Sequence, residues 1–147
     1  MNRCKAFLTA LNDRGCGAAL IHRPENIRWL TGYTGEGCVF VSENAQVVVT
    51  DFRYVEQAGR QAPECDCRRT GNGVSESAVV RELCQAQGVK RLCVETDYLT
   101  HDEYLALEKA LEGVELIPLS ELPQELRLIK DAGEIESIQK AATISCR

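Results

Sequence analysis

Pro24-Glu25-Asn26-Ile27-Arg28-Trp29-Leu30-Thr31-Gly32-Tyr33 is the stretch on which the reading of this chain turns. A turn or short helix follows Pro24. The segment closes on two aromatics around Gly32, a residue free to adopt backbone angles that others avoid. Taken alone it is a packed corner. Its partner in the reading is Asp51-Phe52-Arg53-Tyr54-Val55-Glu56-Gln57-Ala58. Here Asp51 is placed to cap a helix carrying Tyr54, Val55 and Ala58, Arg53 to brace it, and Pro63 to end it.

Upstream of this pair, Cys4, Phe7, Leu8 and Leu11 recur at the spacing of one helical face. Gly15 and Gly17 end that helix, and residues 18–21 read as a short buried strand. Between the two segments, residues 38–42 and 46–50 are β-branched runs separated by Glu43-Asn44-Ala45, the spacing of an antiparallel hairpin. Downstream, residues 65–69 form a polar strand suited to a sheet edge, and 70–73 a loop. Ser75 caps a helix that buries Val79, Val80, Leu83 and Cys84 and stops at Gly88. Residues 91–95 and 114–117 are strands. Between them Thr100 and Glu103 make a capping box, with Leu99 and Tyr104 placed as a hydrophobic staple. After Pro118, Leu122, Leu126 and Ile129 mark a short helix. Asp131 and Glu134 then form a second capping box, opening a helix with Ile135, Ile138 and Ala142 along one side. A hairpin followed by alternating helices and strands predicts an α/β domain, a mixed β-sheet flanked by helices.

Composition narrows the function classes. The 147 residues suffice for one domain with a proper core, and 44% hydrophobic with 27% charged residues is a globular balance. A net charge of -5 with no basic run argues against nucleic acid as a partner. No apolar stretch approaches the ~20 residues that cross a bilayer, and the first residues carry no signal-peptide core. We therefore expect a cytoplasmic protein without membrane partners. Eight cysteines stand at 4, 16, 38, 65, 67, 84, 93 and 146 without a repeating framework. Reduced thiols, mostly packed as small hydrophobes, are the expectation.

Few residues suggest chemistry. The two histidines, His22 and His101, have no cysteine or carboxylate at a ligand spacing along the chain and read as structural. Cys65-Asp66-Cys67 places two thiols on one face of a strand, possible core residues with Asp66 outward, and no second pair completes a zinc set. Glu95 and Asp97 close a strand where a two-metal nuclease would hold acids. With the other acids scattered over helices, solvent-facing charge is the better account. Neither a Gly-x-Ser-x-Gly elbow nor a phosphate-binding loop is present, Gly71-Asn72-Gly73 lacking the rest of one.

In combination, the segments at 24–33 and 51–58 resemble the amino-terminal domain of the creatinase, prolidase and aminopeptidase P family of proline-directed metallopeptidases. The tail Arg127-Leu128-Ile129-Lys130-Asp131-Ala132-Gly133-Glu134-Ile135 resembles that family's passage into its catalytic domain. The resemblance implies a ribonuclease-H-like strand arrangement. It implies a domain over 1–122, with 123–147 as linker and the start of the first helix of a catalytic domain that Arg147 cuts short. It also implies a non-catalytic role within an Xaa-Pro aminopeptidase or dipeptidase: aiding assembly of a homo-oligomer and shaping access for short proline-containing peptides. The catalytic set implied, two Asp, one His and two Glu around paired manganese or cobalt ions, belongs to the carboxy-terminal domain. No residue here is assigned to it, and neither catalytic residue, metal nor cofactor is expected in this chain.

Pro24, Asn26, Trp29, Gly32, Asp51, Arg53 and Tyr54 carry the motif and are expected to be structural. By the same resemblance Tyr33, Thr34 and Glu36 lie near the active site of a neighbouring subunit. Their loop, residues 34–37, is glycine-rich and lacks the His or Arg that some members place there. Two alternatives stand beside this reading. One is the N-terminal domain of a creatinase-like amidinohydrolase, against which the absence of a basic residue at 34–37 argues. The other is a free-standing module that binds a peptide or protein.

Overall fold

A computed structural model describes residues 2–146, so the reading of Arg147 as the point where a helix is cut lies outside the described residues. In chain order the elements are α1 (Arg3–Asp13), β1 (Ala18–Ile21), α2 (Pro24–Thr31), β2 (Cys38–Ser42), β3 (Ala45–Asp51), α3 (Val55–Gln61) and β4 (Asp66–Thr70). They continue with α4 (Glu76–Ala86), β5 (Arg91–Val94), α5 (His101–Ala110), β6 (Glu115–Pro118), α6 (Leu122–Leu128) and α7 (Ala132–Ser145).

The strands form one mixed six-stranded sheet in the order β4-β3-β2-β1-β5-β6. The first three pair antiparallel, β1 to β2 by way of α2 and β2 to β3 through a tight turn, and β4, β5 and β6 join parallel after helical crossovers. Both faces are covered, which is why the central strands are apolar on both sides. Ala19, Ile21, Val39, Val41, Val48 and Cys93 face a layer made by α1, α2 and α6 together with Ala58 of α3. Ala18, Leu20, Phe40, Val47, Val49 and Val94 face α4 and α5. Phe7 and Leu11 of α1 are fully buried, each worth roughly 1.5–3 kcal/mol in apolar surface removed from water. The α/β architecture, the hairpin and the polar edge strand agree with the sequence reading. Both capping boxes are present, and Leu99 and Tyr104 each pack against the second layer.

Local chemistry accounts for the corner at 24–33. Pro24 occupies the first turn of α2, where its missing amide proton is not needed. Gly32 ends the helix at φ 82°, its amide donating to the Arg28 carbonyl at 2.9 Å. Gly37 is more demanding. At φ 121° it crosses so close to β3 that a Cβ would lie 2.1 Å from the Val49 carbonyl oxygen.

Two expectations need correcting. Asp51 does not cap α3, whose N-cap position is held by Tyr54 without a side-chain bond. Its Oδ1 instead accepts the Arg53 amide at 2.9 Å, a local turn that forms before the helix begins. Cys67 is exposed rather than core, because β4 is the outermost strand of the sheet and its residues are only partly covered. Only Cys65 packs against the first layer.

Candidate functional site

Where β1 gives way to α2 the chain must turn sharply, and two amides are left facing inward. The His22 and Arg23 N–H groups donate to Glu95 Oε2 at 2.6 and 2.7 Å. Glu95 is in reach because β5 pairs in parallel with β1 and ends beside that turn. Its Oε1 accepts from Asn26 Nδ2 at 2.6 Å, and Asn26 Oδ1 accepts from Arg127 Nη1 at 2.9 Å. Glu95 and Asn26 are 1% and 0% exposed. Glu95 is thus not the solvent-facing acid that the sequence suggested. Asp97 is, pairing at the surface with Arg23 at 2.7 Å.

This buried chain of bonds ties α6 to the turn ahead of α2, and further contacts extend the attachment. Arg14 donates to the Leu119 carbonyl at 3.2 Å and to Glu125 at 2.8 Å. Arg3 reaches Asp131 and, at 3.2 Å, Glu134, while its guanidinium stacks 5.6 Å from the Trp29 ring centre. These outer pairs are partly exposed and screened, so the Glu95–Asn26 core sets the strength of the attachment. From it projects α7, no residue of which is buried; Ile135 and Ile138 lie open to solvent. A groove of about 830 Å³ runs along this junction, lined by Arg28, Trp29, Gly32, Arg127, Leu128 and Ile138 among others.

The remaining motif residues gather at a second place. Tyr33 is fully buried. Its hydroxyl donates to the Glu36 carbonyl at 2.8 Å and lies 3.1 Å from Thr50 Oγ1. Burial raises its pKa above the ordinary tyrosine value, so it stays protonated. Around it the exposed rim is polar: the Thr34 amide donates to Gln61 at 2.9 Å, and Glu36 meets Arg53 at 3.3 Å. Arg53 also binds Asp51 Oδ2 at 2.7 Å, and that side-chain bond holds the Asp51 carboxyl below its usual range. Arg53 stacks 5.2 Å from the Tyr54 ring centre. Of the three residues read as substrate-adjacent, Thr34 and Glu36 face solvent and Tyr33 supports them from beneath.

A third grouping was invisible along the sequence. Among the described residues, ligand atoms of His22, Cys38 and Glu76 lie within 4.8 Å of one another. The histidine therefore does have a thiol and a carboxylate beside it, supplied by β2 and α4 rather than by its own neighbours in sequence. Elsewhere Cys4 and Cys84 fit the packing role expected of the buried thiols, burial pushing both up to about 11, whereas a hydrogen bond with Cys93 lowers Cys16 to about 6. Among the described residues no second such grouping of His, Cys, Asp and Glu occurs. Among the described residues no helix is long and apolar enough to cross a membrane.

Comparison with known proteins gives a consistent result. The family model for the creatinase/prolidase N-terminal domain matches residues 3–129. The chain is 32% identical over 132 residues to an uncharacterized peptidase, YqhT, of Bacillus subtilis, covering 89% of this chain and 37% of that protein. A putative Xaa-Pro aminopeptidase of Mycoplasma genitalium is 27% identical, with 92% of this chain and 36% of the relative covered. Among solved structures, an Xaa-Pro dipeptidase from Bacillus anthracis superposes with a TM-score of 0.84 at 31% identity, over 90% of this chain and 37% of the other. The N-terminal domain of the cytoplasmic peptidase PepQ from Mycobacterium tuberculosis gives 0.75 at 32% identity, over 86% of this chain and 100% of that domain. The chain spans between 36% and 42% of the length of the curated relatives it matches.

Proposed function

The chain belongs to the creatinase/prolidase N-terminal domain family, and from that premise we propose that it is the non-catalytic N-terminal domain of a cytoplasmic proline-specific metallopeptidase, an Xaa-Pro aminopeptidase or dipeptidase. In this reading residues 1–122 form the accessory domain and 123–147 lead into a catalytic domain. The observation that supports the positioning role is the bond from Arg127 to the buried Asn26, which ties α6 to the turn ahead of α2. The open isoleucines of α7 then pack against the catalytic domain, and the Thr34–Glu36 rim faces the active-site mouth of a neighbouring subunit in a homo-oligomer. Manganese or cobalt ions bound in the catalytic domain supply the activated hydroxide for hydrolysis. This chain contributes orientation and restriction of access to short peptides.

The division of labour has a direct test. The chain alone, purified free of host peptidases, is expected to leave Xaa-Pro peptides intact with or without added manganese. The complete product of its gene is expected to cleave them. Turnover by the chain alone, or an inactive complete product, would sink this reading.

A further inference from the structure

We propose that His22, Cys38 and Glu76 form a binding site for a single zinc-like divalent cation, on the opposite face of the sheet from the Glu95–Asn26 attachment. Three elements converge to make it. In the antiparallel pairing of β1 with β2, Ile21 stands opposite Val39, so the next position brings His22 opposite Cys38. Alternation along the strands turns both toward the layer built by α4 and α5, the side occupied by Leu20 and Phe40. Glu76, the first residue of α4, arrives over them because Val79, Val80 and Leu83 seat that helix on the same face.

The donor set suits a borderline-soft ion: one imidazole, one thiolate and one carboxylate, with a fourth position left for water. Zinc bond lengths of about 2.0–2.3 Å put ligand atoms roughly 3.5 Å apart, so atoms already within 4.8 Å need only small side-chain movements. At present His22 Nε2 and Glu76 Oε1 are 2.7 Å apart, and a cation between them would push the carboxylate outward, where space exists. The Cys38 side is fully buried whereas the Glu76 side chain is 39% exposed, which gives the ion an entry path. His22 Nδ1 is buried with no partner among the described residues, so a network of fixed hydrogen bonds does not account for the ring.

The charges balance once the ion is bound, and deprotonating the buried Cys38 thiol is the cost of binding it. Without a cation, burial and then the nearby Glu76 carboxylate keep Cys38 well above the usual thiol value, so it is protonated. Binding forms a metal–sulfur bond and breaks the S–H bond, releasing one proton to solvent. Thiolate and carboxylate then balance the two positive charges of the metal, and the site becomes neutral. The N-terminal end of α4 opposes this with about half a unit charge, which two coordinated anions outweigh.

The test is cobalt titration of the chelator-treated chain with its exposed thiols removed by Cys67→Ser and Cys146→Ser. The expected result is saturation at one cobalt per chain, with a thiolate-to-cobalt charge-transfer band and one proton released per ion at neutral pH. Zinc should then bleach that band. Cys38→Ser is expected to abolish the band. Glu76→Gln and His22→Gln should weaken binding by at least about tenfold, the loss already found when only a supporting partner of a ligand is removed. Circular dichroism of each variant checks that the fold is intact. Should Cys38→Ser not fold, Glu76→Gln at the rim of the site decides the matter by its affinity. No saturable uptake would leave His22 and Glu76 a hydrogen-bonded pair only and overturn the proposal. So would a band that survives Cys38→Ser, or an affinity untouched by Glu76→Gln.

Discussion

Glu95→Ala is expected to lower the unfolding free energy by about 3–5 kcal/mol, the range for removing one member of a buried charged network. Three donors lose their acceptor at once: the amides of His22 and Arg23 and the side chain of Asn26. None can turn to water, because the carboxylate site is sealed beneath the start of α2. Each stranded donor costs about 1–3 kcal/mol on its own. Glu95→Gln separates charge from shape. Its oxygen can keep the two amides, but its NH₂ then meets the NH₂ of Asn26. Turning Asn26 to relieve that clash would point its donor at Arg127. A loss of about 1–3 kcal/mol is therefore expected for Gln. Arg127→Ala, which strands only the Asn26 Oδ1 at the outer end, should cost about 1 kcal/mol, less than Glu95→Ala. Urea unfolding followed by circular dichroism ranks the three variants. If Glu95→Ala unfolds within about 0.5 kcal/mol of the parent chain, the network is not what anchors α2 and α6.

Gly37→Ala is the second large effect, expected to cost at least about 3 kcal/mol or to prevent folding. The new methyl carbon would sit 2.1 Å from the Val49 carbonyl oxygen, and the φ of 121° is one that side-chain-bearing residues avoid. The obstacle cannot retreat, because Val49 belongs to β3, held between β2 and β4. Gly59→Ala is the matched control. It lies within α3, and a Cβ there meets nothing within 4 Å. The same methyl group should stabilise the chain there by about 0.5–1 kcal/mol. Equal thermal midpoints for the two variants would refute the contrast.

Sequence reading succeeded mostly where the deciding interaction was local. The face of α1, the hairpin of β2 and β3 and the Thr100 and Asp131 capping boxes each depend on residues a few positions apart, and each is present in the fold. Asp51 failed for an equally local reason. Two turns compete for the same carboxylate, and the one closing on Arg53 forms before the helix can claim it. Glu95 was misread because an acid ending an apolar strand looks the same whether solvent or buried amides receive it. The signal available was Leu92-Cys93-Val94, a fully buried strand running straight into a carboxylate. His22, Cys38 and Glu76 lay beyond reach because no spacing rule joins residues whose meeting depends on the pairing of β1 with β2 and the seating of α4. The motif segments reveal the family, but the buried polar bonds that make its corner rigid emerge only in three dimensions.

The position of β1 also bears on how the chain is made. It is the first strand of the sheet in chain order, yet it lies in the interior, between β2 and β5. β2 follows after α2 and pairs with it, and β3 then pairs with β2. The other side of β1 waits for Leu92 to Val94, on the far side of three helices. During translation, therefore, a three-stranded intermediate carries an unpaired, wholly apolar edge at Ala18–Ile21, the kind of template that recruits strands from other chains. A nascent chain arrested at Lys90 is expected to self-associate or bind a ribosome-proximal chaperone, and one released after β5 has emerged is expected to do neither. The interval between those two lengths is when this domain is most vulnerable to misassembly.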